Sequence, residues 1–196
     1  RCPPYDLSKA AGERAIKQAV AEGLDAVIIN PTGIIGPHDY RPSHIGQVLI
    51  DICQRRLPAL IDAGFNWVDV RDVAAGSIAA CEKAPAGSVF LLSGHWKSVG
   101  DIARAVSATT GVRVPSLALP LWFCRMGAPF TTAWAHLRHK RAVMTSVSLY
   151  ALNSNRHISH AAATAQLGYE PRSFEETIAD TLRWFASEGM IPHFDT

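Results

Sequence analysis

Apolar positions along the chain fall into two alternating arrangements, amphipathic stretches of helical length and short runs of β-branched residues. A helix is predicted over Pro4–Glu22, because Pro4 suits a first turn and Gly23 suits a stop. The run Ala26–Ile29 has no polar alternation, which is typical of a parallel strand buried on both faces. Further strands are predicted over Phe65–Val70 and Ser88–Leu92, and further helices over Ile45–Ile52, from Asp72, from Ser98 to Gly111, from Ser159 to Gly168 and from Ser173 to Gly189.

The alternation of strands and helices predicts an α/β protein with a parallel sheet. Prolines break the apolar segment from Val114 to His139, and two capped helices follow it. These last helices are expected to form a smaller lobe over the edge of the sheet. Between the second and third predicted strands, Asp72 is expected to cap a helix that buries Val73, Ile78 and Cys81.

The composition narrows the class of protein. With 48% hydrophobic and 18% charged residues among 196, the chain is expected to fold rather than to stay disordered. A formal net charge of +2 gives no electrostatic case for binding nucleic acid. The apolar stretch Leu117–Cys124 is interrupted by Pro120 and is too short to span a bilayer, so a membrane is not expected as a partner either.

Cysteine and histidine spacing bears on the compartment and on metal binding. The four cysteines are widely spaced and form no C-x-x-C pair, which favours a reducing cytoplasm. Two histidine pairs have i,i+3 spacing, but neither has a carboxylate or thiolate nearby in sequence, so no metal site is predicted. The pairs are His136 with His139 and His157 with His160.

The segment Tyr5-Asp6-Leu7-Ser8-Lys9 carries the main chemical signal. Residues at i and i+4 of a helix share one face, so Tyr5 and Lys9 are expected to lie one turn apart. A free phenol, with a pKa of about 10, transfers protons poorly at neutral pH, and a nearby ammonium favours the phenolate form. The pair alone fits an ordinary surface contact as well as it fits a proton-transfer site.

Two later blocks extend the signal. Asn30-Pro31-Thr32-Gly33-Ile34-Ile35-Gly36-Pro37 follows the first predicted strand, and Trp67-Val68-Asp69-Val70-Arg71-Asp72-Val73-Ala74 lies further on. With the Tyr-x-x-Ser-Lys motif before them, they resemble the extended short-chain dehydrogenase/reductases. Within that group the sequence is similar to the dihydroflavonol-reductase-like branch of the NAD-dependent epimerase/dehydratase family. The block Leu167-Gly168-Tyr169-Glu170-Pro171-Arg172 is similar to the C-terminal lobe of that family.

The resemblance implies roles for particular residues. Tyr5 would be the general acid/base, and Lys9 would assist it and bind the nicotinamide ribose. The nicotinamide side of an NAD(P)(H) site would be lined by Pro31, Thr32, Gly33 and Ile34. Residues 1–112 would form part of a Rossmann-like NAD(P)-binding domain, and residues 113–196 a small, mainly helical substrate lobe intertwined with it.

A small-molecule substrate is expected between these parts. The resemblance places candidate substrate residues in the loop after Pro37 and in the later apolar segment. They are His38, Tyr40, Arg41, Trp122 and Met126. Solvated loop positions explain Tyr40 and Arg41 as well, and core packing explains Trp122 and Met126.

The resemblance also implies a glycine-rich pyrophosphate turn, and no G-x-x-G-x-x-G pattern occurs in this sequence. The resemblance therefore implies that this chain is the C-terminal portion of a longer enzyme and lacks the N-terminal glycine-rich half that binds the cofactor. Alone, it is expected to bind NAD(P)(H) weakly or not at all. It is also expected to form a homo-oligomer through an exposed sheet edge or a domain swap.

Three functions remain open. The first is an NAD(P)-dependent oxidoreductase that moves hydride to or from a carbonyl or hydroxyl substrate. The second is a nucleotide-sugar epimerase or dehydratase, although the stretch Ala63–Asn66 lacks the arginine that such enzymes usually carry there for a diphosphate. The third is a non-catalytic remnant that serves as a binding or assembly module.

Overall fold

A computed structural model describes residues 4–120, 122 and 156–194. In this part of the chain, helices and short strands alternate. The helices are α1 (Pro4–Ala21), α2 (His44–Cys53), α3 (Val70–Lys83), α4 (Val99–Thr110), α5 (Ala161–Leu167) and α6 (Phe174–Ser187). The strands are β1 (Ile28–Pro31), β2 (Gly33–Ile35), β3 (Leu60–Asp62), β4 (Gly64–Asp69), β5 (Val89–Leu92), β6 (His95–Ser98) and β7 (Ala118–Pro120).

Most strand pairs are parallel, which confirms the predicted α/β class. Strands β1 and β5 pair in parallel, as do β2 with β4 and β3 with β7. Strand β6 departs from the prediction, because it pairs antiparallel with β4. The sequence patterns also miss β2, β3, β6 and β7, which have three or four residues each and so are too short for periodicity to identify.

Two segments pass from one sheet into another at neighbouring points. The chain leaves β1 and enters β2 at Thr32, and it leaves β5 and enters β6 at Ser93 and Gly94. The Thr32 amide donates to the Leu92 carbonyl at 3.2 Å, so the two crossings lie side by side. This junction joins the β1–β5 pair to the sheet formed by β2, β4 and β6.

The apolar core has two clusters. The first gathers side chains of α2, α4 and α6, among them the fully buried Leu49, Ile102 and Ile178. The second lies between β5, α3 and α5 and includes Phe90 and Leu167. Because α2 and α4 pack against α6 in one cluster, residues from before and after position 113 share a core.

Helix caps follow local sequence signals, with one correction. Ser98 and Asp101 form the predicted capping box of α4, and Gly111 ends that helix in a left-handed conformation. Helix α3 is capped by Asp69, whose side chain accepts from the Arg71 amide, so the expectation that Asp72 is the cap is wrong.

The buried face of α3 also differs from the one predicted. Ile78 is 60% exposed and Cys81 is exposed, whereas Gly76 and Ala80 are buried. Because α3 begins directly at the end of β4, its first residue determines which later residues face the sheet. The spacing of apolar residues alone did not predict where the helix begins.

Ion pairs connect the β4–α3 corner to the C-terminal helices. Arg71 donates to both oxygens of the buried Asp69 and, at 2.7 Å, to Asp180 of α6. Arg172, which precedes α6, donates from its backbone and from its guanidinium to Asp72. Arg71 is therefore a structural residue that holds α6 against the corner where α3 begins.

Helix α1 is held differently from the other helices. None of its residues is buried, and Tyr5, Leu7 and Ile16 are 63%, 57% and 40% exposed. Within the described residues, β1 pairs with β5 alone. The expected homo-oligomer stays a prediction. None of the helices in the described ranges has the length and apolar character needed to cross a membrane.

The substitution Asp69→Asn tests how much the ion pairs at the β4–α3 corner contribute to the free energy of unfolding. Burial opposes ionisation of Asp69, but hydrogen bonds from Arg71 outweigh it and hold the pKa of the carboxyl below its ordinary value. The resulting stabilisation is present above about pH 4 and is lost as the pH falls through the folded-state pKa. Asn keeps a capping oxygen, so Asp69→Asn is expected to lower the free energy of unfolding at neutral pH by about 2 kcal/mol.

Urea unfolding over a pH series measures this difference, which is expected to shrink below about pH 4. The exposed Asp25 provides a matched control, and Asp25→Asn is expected to change stability by less than about 0.5 kcal/mol. A deficit in Asp69→Asn that stays the same at all pH values would show that the charge on Asp69 contributes nothing.

Candidate active site

Tyr5 and Lys9 lie together on the first turns of α1. The Lys9 Nζ is 5.6 Å from the centroid of the Tyr5 ring, as expected for positions one turn apart. The Ser8 hydroxyl donates to the Tyr5 carbonyl at 2.7 Å, which is a local helix contact. Both candidate catalytic side chains are exposed, so both can reach a ligand.

A polar contact ties α1 to the end of β1. The Asn30 amide donates to Glu13 at 3.4 Å, and Glu13 also pairs with Lys17 at 2.6 Å. The hydrogen bond from Lys17 lowers the pKa of Glu13, so the carboxylate stays charged as an acceptor for Asn30. This contact places the helix that bears Tyr5 beside the carboxyl end of β1.

The expected cofactor segment is largely extended. Pro31 ends β1, Thr32 lies between strands, and Gly33 and Ile34 belong to β2. Pro31 and Ile34 are exposed, whereas the Thr32 hydroxyl donates to Asn66 at 2.8 Å. A side chain on Gly33 would come within 2.6 Å of the Phe65 ring, so this glycine is needed for packing between strands.

Asn66 is a residue that the sequence analysis did not single out. It is 3% exposed, and its carbonyl oxygen accepts from the Thr32 hydroxyl and from the Gly94 amide at 3.0 Å. Its amide nitrogen donates to the Gly94 carbonyl at 3.4 Å. A polar residue at an inward position of an apolar strand is the signal that could have identified it.

The candidate substrate residues of the first loop contact α6. The rings of His38 and Tyr40 lie 5.7 Å and 5.0 Å from the ring of Trp184. Arg41 is exposed, and Trp122 is 64% exposed. Met126 lies outside the described residues. The structure therefore groups His38 and Tyr40 with α6, while Tyr5 and Lys9 form a separate pair on α1.

An open cavity of about 480 Å³ borders the strand junction. Its lining residues include Asn66 and Gly94 of the junction and also Trp96, Lys97, Arg156 and Ser159. Lys97 is paired with Glu175 at 2.8 Å, and this hydrogen bond lowers the pKa of the Glu175 carboxyl.

The parallel strand pairs flanked by helices define a Rossmann-like α/β protein. Residues 1–92 match the NAD dependent epimerase/dehydratase family. The resemblance to this family that was expected from the sequence is confirmed over these residues.

Two proteins and one crystal structure are similar over most of the chain. Sterol demethylase protein B of Methylococcus capsulatus is 31% identical, with 95% of this chain and 58% of that protein covered. A Synechocystis protein assigned as a dihydroflavonol 4-reductase is 30% identical, with 95% and 56% covered. The crystal structure of gox2253 has a TM-score of 0.77 at 30% identity, with 95% and 57% covered. The chain thus spans a little under three fifths of the length of these proteins.

The strand junction supplies a test of local packing. A Cβ atom on Gly94 would lie 2.1 Å from the Trp67 carbonyl oxygen, so Gly94→Ala is expected to destabilise the protein by about 1–3 kcal/mol. Gly12 of α1 has nothing within 4 Å of such an atom, and Gly12→Ala is expected to stabilise the protein by up to about 1 kcal/mol. Thermal unfolding measures both changes. A fully stable Gly94→Ala variant would contradict the close approach of the two strands.

Proposed function

We propose that the protein is an NAD(P)-dependent oxidoreductase whose proton donor and acceptor is Tyr5, assisted by Lys9. The observation that carries this proposal is the 5.6 Å approach of the Lys9 ammonium to the Tyr5 ring on an exposed helix face. Membership of residues 1–92 in an NAD dependent family supports it. The relative assigned as a dihydroflavonol 4-reductase supports a carbonyl or hydroxyl substrate.

The residues present fit the nicotinamide end of such a cofactor. Tyr5 and Lys9 offer an exposed hydroxyl and an exposed ammonium, and Pro31 exposes an apolar ring at the carboxyl end of β1. Thr32 would border the cofactor with its backbone, because its hydroxyl donates a hydrogen bond to Asn66. When bound, the reduced cofactor supplies a hydride and is itself oxidised. Weak or absent binding of the cofactor by residues 1–196 alone stays a prediction.

In carbonyl reduction, a C–H bond forms at the carbonyl carbon while the π electrons move to the oxygen. The Tyr5 hydroxyl gives its proton to that oxygen, and the product is an alcohol. The ammonium of Lys9 stabilises the phenolate that remains on Tyr5. In alcohol oxidation the same phenolate takes the proton back.

The alternative of a nucleotide-sugar substrate has less support. A buried diphosphate favours bidentate cations, and the Phe65 ring packs against Trp67 at 5.4 Å in the stretch where an arginine is expected. A similar nucleoside-diphosphate-sugar epimerase of known structure is 21% identical to this chain, so the likeness shows the fold alone. A less charged carbonyl substrate is therefore favoured.

Removal of the Tyr5 hydroxyl tests the mechanism. Tyr5→Phe is expected to lower kcat by at least about 100-fold, because proton transfer by a positioned group contributes on this scale. Lys9→Met is expected to lower kcat in the same direction. Oxidation of NAD(P)H by the full-length protein, measured with a panel of ketones and aldehydes, provides the assay.

Arg14→Gln is the matched control, since Arg14 is an exposed cation on the same helix. It is expected to keep the activity of the parent protein. If Tyr5→Phe keeps the parent kcat, the assigned role of Tyr5 is wrong.

A further inference from the structure

The cavity at the strand junction carries one cation that has no acidic partner. Arg156 is exposed, and no carboxylate in the described ranges lies within ion-pair distance of it. Lys97, the other fixed cation of the cavity, is already neutralised by Glu175. Among the described residues that line the cavity, Arg156 therefore carries the positive charge that is not balanced, and none of these residues is acidic.

Arg156 is held in place by an aromatic ring. Its Cζ lies 4.4 Å from the centroid of the Trp96 ring, a distance at which guanidinium groups stack on indole. The Trp96 ring in turn lies against Gly64, where an added Cβ would come within 2.4 Å of it. A stacked guanidinium keeps its planar N–H groups ordered and available at its edge.

The cavity is continuous with the strand junction. Asn66 contributes to the cavity and accepts a hydrogen bond from Thr32, directly after Pro31. Asn66 therefore lies between the cavity and Thr32. It alone would separate a ligand in the cavity from the segment proposed to border the nicotinamide.

We infer that this cavity binds a carboxylate of the substrate through Arg156 stacked on Trp96. A planar carboxylate matches the two parallel N–H groups of a guanidinium, and its single negative charge balances the one unpaired cation. A phosphate monoester carries about −1.5 to −2 charges and would leave part of this charge uncompensated. The inference rests on the proposed function, because it assigns the carboxylate to the substrate of the oxidoreductase.

Binding of benzoate to the full-length protein tests the inference without any turnover. Calorimetry gives the affinity, and the NMR shifts of the Trp96 indole N–H and of the Arg156 Nε–H locate the ligand. Arg156→Gln is expected to weaken benzoate binding by at least about tenfold, and Arg156→Lys by less, since it keeps the charge but not the planar pair of donors. Arg113→Gln, at an exposed arginine elsewhere, is the matched control and is expected to bind benzoate as the parent does.

Neutral and doubly charged probes complete the test. Benzamide and phenyl phosphate are both expected to bind more weakly than benzoate. Benzoate binding that survives Arg156→Gln, equal binding of benzamide, or tighter binding of phenyl phosphate would each overturn the inference.

Tyr5→Phe separates this inference from the proposed function. It is expected to leave benzoate affinity unchanged, because Tyr5 is not among the cavity residues. An active Tyr5→Phe variant with intact benzoate binding would refute the mechanism and leave the carboxylate site standing. Loss of benzoate binding in Tyr5→Phe would overturn the assignment of the carboxylate to this cavity.

Discussion

The buried amide of Asn66 is the interaction on which the arrangement of the sheets depends. It satisfies the Thr32 hydroxyl, the Gly94 amide and the Gly94 carbonyl at the point where two segments change sheets. Crossings of this kind interrupt the regular ladder, and buried backbone groups left unpaired there are costly. The Asn66 side chain thus supplies hydrogen bonds that the backbone ladders of the two sheets do not provide. It also brings the end of β1 next to the cavity.

Features encoded by adjacent residues could be predicted from the sequence. The capping box of Ser98 and Asp101 and the left-handed stops at Gly111 and Gly168 each depend on a few neighbouring positions. The start of α3 was misplaced because Asp69 and Asp72 both have capping chemistry, and the end of β4 decides between them. The antiparallel direction of β6 could not be predicted, because it is fixed by pairing with β4, about thirty residues earlier.

The same limit applies to the candidate site. Tyr5 and Lys9 could be paired from sequence, since one helix turn brings them together. The stacking of Arg156 on Trp96 joins residues sixty positions apart, and hydrophobic periodicity carries no information on such a contact. Likewise, the ring contact between Tyr40 and Trp184 depends on how α6 packs in the core and pairs with Arg71, and both involve residues distant in sequence.

The absence of buried side chains in α1 has an energetic consequence for ligand binding. Helices of this length owe most of their stability to packing, so the backbone of α1 opens to solvent at a lower free-energy cost than that of α6, where Leu182 and Phe185 are fully buried. In the proposed mechanism, proton transfer requires the Tyr5 hydroxyl at a fixed distance from the reacting oxygen. A ligand that contacts Tyr5 must therefore immobilise the helix as it binds, and this loss of conformational entropy couples its affinity to that of any second ligand touching α1.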